Sequence, residues 1–398
     1  MRPLSVALLT WEYPPVVVGG LSRHVQHLSE ALTRCGHDVT VFTRGLALSR
    51  GDEREGGVRV VRVTPDEGPS YTDLVPWVLE LNRSLLDRAW SEVRTLRPDV
   101  IHAHDWLVAH AAVALADRTH TPLVATIHAT EHGRHRGRLA GPTQRFVHGV
   151  ERWLTSTADR VIACSAYMRR EVIEVLETPS DRVDAIPNQI ELAEFEPVGS
   201  RGRVRDGLGI DGSPLVVFAG RLEYEKGVQT ILEALPLVDR RIPGVRLVVA
   251  GTGTYRPELE ARCRSLRLGE RVRFEGFVEE DRLRDLYGAA DLVVVPSLYE
   301  PFGLVALETM ASGTPVVAAD TGGLREVVEE GVTGLRFPPG DPQELSRAMV
   351  RVLGDGSLAR TLAERARGSL AVRGSWTGAA SRTAEVYRRA IGDRNPAR

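Results

Sequence analysis

In the segment YEPFGLVALE, Glu300 and Glu308 stand eight residues apart around a helix start expected near Gly303. The amides of a first helical turn lack intrahelical acceptors and, with the helix dipole, favour a phosphate; a glycine there lets the backbone approach it closely. Eight helical residues rise about 12 Å, so the two carboxylates can serve groups on either side of a bound diphosphate. A nucleotide sugar meets that requirement, with hexose hydroxyls for Glu300 and ribose hydroxyls for Glu308. Two solvated glutamates on a surface helix is the plainer reading of any isolated pair. Here the pair adjoins PFG directly after a buried strand, and that context favours a site.

The segment AGRLEYEKG sets Arg221 and Lys226 just past a strand and before an amphipathic helix. Two cations there neutralise the charge that develops on a departing diphosphate. The bland alternative is a pair of surface cations matched to Glu223 and Glu225. Gly19 and Gly20 end a loop that opens a helix and suit the approach of phosphate or sugar, although a lone GG is weak evidence. G-x-x-x-x-G-K-[ST] does not occur, and the G-x-G-x-x-G at 207–212 precedes the strand run LVVFA instead of joining a strand to a helix, so nicotinamide and P-loop chemistries lose their usual support.

His128, in LVATIHATE, stands where a strand leaves its sheet and can bond a donor hydroxyl; a packed or solvated imidazole is the ordinary alternative. Asp105 in HAHDW ends another strand and reads equally as a cap or a site residue. Histidines concentrate between His102 and His148 with no zincin or finger spacing, which argues against a metal. Residues 129–152 are rich in Gly, Arg and His, with Arg134, Arg136, Arg138, Arg145 and Arg152 on no clean helical stripe. They read as a solvated loop or a mobile acceptor loop.

The elements that must carry these residues alternate. Short β-branched runs, VALL, DVTVF, DVIHA, LVATI and RVIAC, are separated by helix-period segments, as in βαβ units on a parallel sheet. Leu21, Val25, Leu28 and Leu32 fall on one helical face, and Gly36 supplies a stop. A second series, LVVFA, RLVVA, VRFEG, LVVVP and PVVAA, follows a linker expected within 187–213, and a last amphipathic helix covers about 376–391. Ligands of open α/β sheets bind beyond the carboxyl ends of the strands, where Gly19, Gly20, His128, Arg221 and Glu300 all fall. Two such edges facing each other make an interdomain cleft.

At 398 residues the chain is long enough for two cores, and its formal charge of -2 offers no basic field for nucleic acid. Cys35, Cys164 and Cys263 are odd in number and far apart, as in reduced cytoplasmic thiols. The apolar run near the N-terminus is too short for a signal segment, and no stretch approaches the ~20 apolar residues of a membrane span.

The segments WEYPPVVVGG, HAHDW, TIHATE, GRLEYEKG, PSLYEPFGLVALETMASGTPVV and GGLREVVEEGVTG together resemble the retaining glycosyltransferases of family 4, also called group 1, along nearly the whole chain. The resemblance implies a GT-B fold: a Rossmann-like acceptor-side domain over 1–190, a Rossmann-like nucleotide-sugar domain over 191–375, and a helix over 376–398 returning to the first. It implies that Arg221 and Lys226 hold the donor diphosphate, that Glu300 and Glu308 hold the hexose and the ribose, and that His128 lies near the donor O6. Gly303 and Leu304, beside Phe302, then supply backbone amides, and the backbone near Val278 faces the nucleobase.

Within the family the N-terminal motifs are most similar to glucan-elongating α-1,4-glucosyltransferases, including the methylglucose lipopolysaccharide type. The implied reaction is retaining, metal-independent transfer of glucose from UDP-glucose or ADP-glucose to a glucan or oligosaccharide. Trp11, Tyr13, Asp105 and Trp106 are expected to stack on or bond the acceptor, with ordinary packing as the alternative. Val17 replaces the lysine of K-x-G-G, and Asn188, Gln189, Ile190 and Glu191 lack the glycine of the family's N-G-[IV]-D turn. The rival readings are a membrane-peripheral mannosyl- or glucosyltransferase with a lipid-linked acceptor, using the basic 134–152 stretch, and a nucleotide-sugar sensor. The absence of an amphipathic basic helix argues against the first, and intact Arg221, Lys226, Glu300 and Glu308 against the second.

Overall fold

A computed structural model describes residues 2–45, 52–63, 74–196, 198–210 and 212–394. The chain forms two compact units, residues 1–188 with 375–398 and residues 189–374. It crosses from the first to the second between Asn188 and Gln189 and back between Gly374 and Ser375. None of residues 188–191 takes a positive φ, in keeping with the absence of a glycine there.

The first unit holds β1 (Ser5–Leu9), β2 (Asp38–Arg44), β3 (Asp52–Glu55), β4 (Val58–Val63), β5 (Val100–His104), β6 (Leu123–Ile127), β7 (Arg160–Ala163) and β8 (Val183–Ala185). Their order is β3-β4-β2-β1-β5-β6-β7-β8, parallel throughout except for the β3/β4 hairpin at the edge. Strands β5 and β6 are buried at every position because helices cover both faces, and β5 carries His102 and His104 into that buried layer. The helix Gly20–Arg34 buries Val25, Leu28 and Leu32 as its periodicity predicts. Against that helix packs another, Trp376–Arg394, which contributes Ala380, Ala384 and Tyr387 to the same core. Its alanines let the two helices approach closely.

The stretch 129–152 is not the loop expected from its arginines. Glu131–Arg134 forms one helical turn and Pro142–Thr157 a longer helix. Val147, Val150 and Leu154 recur at three and four and are buried, while Arg145 and Arg152 point outward. The buried face also carries Glu151 and Thr155, so polar residues dominated the sequence pattern. An amphipathic helix is therefore present, with Arg145 and Arg152 on its outer face.

The second unit holds β9 (Leu215–Ala219), β10 (Arg246–Ala250), β11 (Val272–Gly276), β12 (Leu292–Val295), β13 (Val316–Ala319) and β14 (Leu335–Phe337). The order β11-β10-β9-β12-β13-β14 is fully parallel and reverses direction between β9 and β12. Such a reversal marks the place at the carboxyl edge where open α/β sheets bind ligands. The first unit has its own reversal between β1 and β5.

Among the described residues no helix is long and apolar enough to cross a membrane.

Candidate active site

In the second unit the loops after β9 and β12, the pair flanking the reversal, carry the predicted charges. Gly227 follows the short turn Tyr224–Lys226 with φ 74°, and a Cβ on it would lie 2.0 Å from the Pro296 carbonyl oxygen. Only glycine permits that approach, and it brings the two loops together. The Glu225 carbonyl then accepts the Leu298 N–H at 2.7 Å. From these loops Lys226 Nζ reaches Glu300 Oε2 at 2.9 Å, and Ser297 Oγ donates to the same oxygen at 3.0 Å. The Glu300 carbonyl is held by the Gly323 N–H at 2.8 Å, which ties the loop after β13 to the site. Arg221 pairs with Glu225 at 3.2 Å.

Gly303, with φ 109°, caps the helix Leu304–Ala311, where a Cβ would meet the Leu324 side chain at 2.8 Å. The first amides of that helix, from Leu304 onward, have no acceptor within it and begin four residues beyond Glu300 in sequence. Phe302 is buried beneath this turn. Glu308, on the same helix, is also buried, and its Oε2 accepts the Tyr287 O–H at 2.9 Å. Val278 sits half-buried in the loop after β11, next to exposed Phe277. The fold thus gathers Arg221, Lys226, Glu300, Gly303 and Leu304 onto neighbouring loops of one sheet edge, and it commits Glu308 to a buried hydrogen bond.

In the first unit Gly19 caps the helix Gly20–Arg34, but its N–H is already engaged. Glu12, 2 % exposed, accepts the Val18 N–H at 2.5 Å and the Gly19 N–H at 3.2 Å through one carboxylate oxygen. The loop therefore carries an internal anion where the sequence suggested room for phosphate. Asp105, buried and with φ 62°, accepts the His128 N–H at 2.8 Å. Burial pushes its carboxyl up to about 6 against the pull of the His128 and Ala129 N–H groups. Asp105 thus fixes the backbone where β6 ends.

His128 Nε2 lies 3.0 Å from His104 Nδ1, and the His24 ring stands edge-on to His128 with centroids 4.7 Å apart. Burial holds His128 down at about 3 and His24 and His104 well below the usual imidazole value, so all three are neutral near pH 7.

The acceptor aromatics need correction. Tyr13 is completely buried and its hydroxyl lies 3.3 Å from Ser29 Oγ; Trp106 is also buried. Neither ring can stack on a sugar. Trp11 is half-buried, edge-on to Trp77, with the Arg44 guanidinium 5.5 Å over both rings. An aromatic placed at a strand end fills the space between sheet and helix as readily as it faces solvent, and sequence does not separate the two.

Sequence reasoning also missed Ser297, Tyr287 and Glu12, the immediate partners of Glu300, Glu308 and Gly19. Isolated Ser, Tyr and Glu carry no pattern; only their position after buried strands or near a GG signalled them.

The profile of glycosyl transferases group 1 matches residues 200–369, and that of glycosyltransferase family 4 matches residues 18–194. The chain is 41 % identical to glycogen synthase of Mycobacterium tuberculosis over 99 % of its own length and 97 % of the relative's. The chain belongs to glycosyltransferase family 4. It is also 34 % identical to the D-inositol 3-phosphate glycosyltransferase of Xylanimonas cellulosilytica, over 96 % of this chain and 94 % of that one. Among solved structures it is similar to sucrose-phosphate synthase from Thermosynechococcus elongatus, with a TM-score of 0.84, 28 % identity and coverage of 98 % and 100 %. Family 4 membership makes the protein a glycosyltransferase, and its two parallel-sheet domains are those of the GT-B fold.

Proposed function

We propose that this family 4 enzyme transfers glucose from UDP-glucose or ADP-glucose to an α-glucan or oligosaccharide and forms an α-glycosidic, α-1,4 linkage. The observation that carries the reading is the Lys226–Glu300–Ser297 network at the strand reversal of the second unit, beside the amides of the helix Leu304–Ala311. A diphosphate there receives positive charge from Lys226 and Arg221 and N–H donors from the Gly303–Leu304 turn. The Glu300 carboxylate then takes hexose hydroxyls, and Glu308 the ribose. His128, neutral and fixed through its backbone by Asp105, can accept or donate a hydrogen bond at the sugar O6. Val278 provides backbone for the base. No metal is assigned, since two protein cations serve the leaving group.

Retention by front-face displacement accords with family 4 membership and with the absence of a sequence candidate for a nucleophile. The C1–oxygen bond to the diphosphate breaks as the acceptor oxygen bonds the same face of C1, and the acceptor's hydroxyl proton passes to the departing diphosphate oxygen. The likeness to glycogen synthase supports glucose and a glucan acceptor.

A second reading draws on the helix Pro142–Thr157, whose exposed Trp153 is flanked by Arg152. That face suits peripheral contact with a membrane carrying a lipid-linked acceptor. A panel of nucleotide sugars, assayed for nucleoside diphosphate release with maltooligosaccharide or with lipid extract, separates the readings. Release only with lipid overturns the glucan, and release with no nucleotide-glucose overturns the donor.

A further inference from the structure

Three histidines that the sequence scatters over 104 positions meet in the first unit. His24 lies in the second turn of the helix Gly20–Arg34, His104 ends β5 and His128 follows β6. One ring nitrogen from each can be chosen so that all three lie within 4.8 Å of one another. In sequence their spacing argues against a metal, because ligands from three separate elements leave no linear signature.

The cluster does not satisfy itself. The His104–His128 bond uses one nitrogen of each ring. His24, only 7 % exposed, has neither Nδ1 nor Nε2 hydrogen-bonded, and His104 Nε2 is also buried without a partner. The Asn188 side chain lies close enough to His24 to favour its protonated form, but its buried Oδ1 closes no well-formed hydrogen bond. Buried polar atoms are ordinarily bonded, and a group of orphans converging on one point is what a missing ligand leaves. His102, the adjacent ring, shows the contrast: Nδ1 meets Tyr387 Oη and Nε2 meets Thr126 Oγ1, each at 2.7 Å.

We propose that His24, His104 and His128 bind one Zn²⁺ through three imidazole nitrogens, with the fourth position open, and that this ion inhibits the transferase by withdrawing His128 from the donor. Imidazole ligands with no carboxylate select zinc, copper or nickel over magnesium and calcium. Zinc–nitrogen bonds near 2.0 Å place tetrahedral ligands about 3.4 Å apart, so each nitrogen moves inward by less than about 1 Å. His128 alone of the three is partly exposed, and it supplies the way in and the open coordination side. Asp105, fixing the His128 backbone, orients that ligand.

The inhibition rests on the donor-site reading; the binding does not. EDTA-stripped protein titrated with Zn²⁺ should take one ion per chain, and Co²⁺ in its place should show tetrahedral visible absorption. His24→Gln should weaken Zn²⁺ at least about a hundredfold, whereas His132→Gln, in the separate His132–His148 pair, should not. Binding unaffected by His24→Gln, or abolished by His132→Gln, overturns the site. Should His24→Gln fail to fold, wild-type crystals soaked in Zn²⁺ decide: an anomalous peak between the three imidazoles supports it, and its absence there refutes it. Turnover should fall at least tenfold on Zn²⁺ saturation and return with EDTA. Zinc bound between the imidazoles without loss of turnover refutes the inhibition and leaves the binding site standing.

Discussion

Lys226 Nζ and Glu300 Oε2 lie 2.9 Å apart, an ion pair between two loops that flank the strand reversal of the second unit. The two side chains are 20 % and 13 % exposed, so the pair is partly desolvated and each charge sets the position of the other. On the proposed reading, a phosphate entering beside Lys226 finds a cation already placed, and a hexose finds a carboxylate already aimed.

Glu300→Gln should preserve the fold, because Gln keeps an acceptor for Ser297 and Lys226, yet lower kcat by a factor on the order of 100, about 2.7 kcal/mol of transition-state stabilisation. Steady-state kinetics on a variant with wild-type melting behaviour checks this. Near-normal turnover would remove Glu300 from the site.

Glu308→Ala should mainly raise the donor KM, because ribose contacts lie far from the reacting carbon. It also leaves the Tyr287 hydroxyl buried without its acceptor, at a cost of about 1–3 kcal/mol in stability. Glu308→Ala combined with Tyr287→Phe removes both partners and that cost, and serves as the comparison. A collapse of kcat at unchanged KM in Glu308→Ala means that the two glutamate roles are wrongly divided.

Turnover should survive EDTA, and Lys226→Ala should reduce it more than any chelator does. The chain contains no D-x-D to hold a metal on the diphosphate. Complete loss in EDTA, restored by Mg²⁺ or Mn²⁺, contradicts the assignment of the leaving-group charge to Arg221 and Lys226.

Acid should destabilise the first unit. His24, His102 and His104 are held well below the ordinary 6.5, and His128 at about 3, in each case chiefly by burial. The unfolded chain then binds more protons than the folded one between roughly pH 6.5 and 3, and stability is lost as pH falls through that window. Asp105 and Glu151, both raised by burial, act oppositely but are outnumbered. Thermal melts from pH 7.5 to about 5 should show a falling Tm; a flat or rising Tm contradicts the buried neutral imidazoles.

The product of maltooligosaccharide and nucleotide-glucose should carry a new α-anomeric proton signal by NMR. A β signal would refute retention.

The strands and the donor-side charges were legible because they are local: β-branched runs bounded by glycine, and motifs whose residues lie on one loop. Arg221 with Lys226, and Glu300 with Gly303, needed only their strand ends to be found. What sequence did not disclose depends on distant packing. Tyr13 disappears into the core because the helix Gly20–Arg34 lies over it, and Glu12 folds back onto the Gly19 amide across seven residues. His24 approaches His104 and His128 only through the β1-β5-β6 order of the sheet. The helix Pro142–Thr157 was hidden by its arginines, which decorate the outer face and say nothing of Val147, Val150 and Leu154 beneath.

The helix Trp376–Arg394 belongs to the core of the first unit although residues 189–374 of the second separate it from the rest. A ribosome releases the chain from its N-terminus, and domains ordinarily fold in that order. Here the second unit is complete on emergence while the core of the first still lacks Ala380, Ala384 and Tyr387. The part of the chain made first is thus the last to close its core, and nascent protein is most exposed to chaperones and proteases through its N-terminal half.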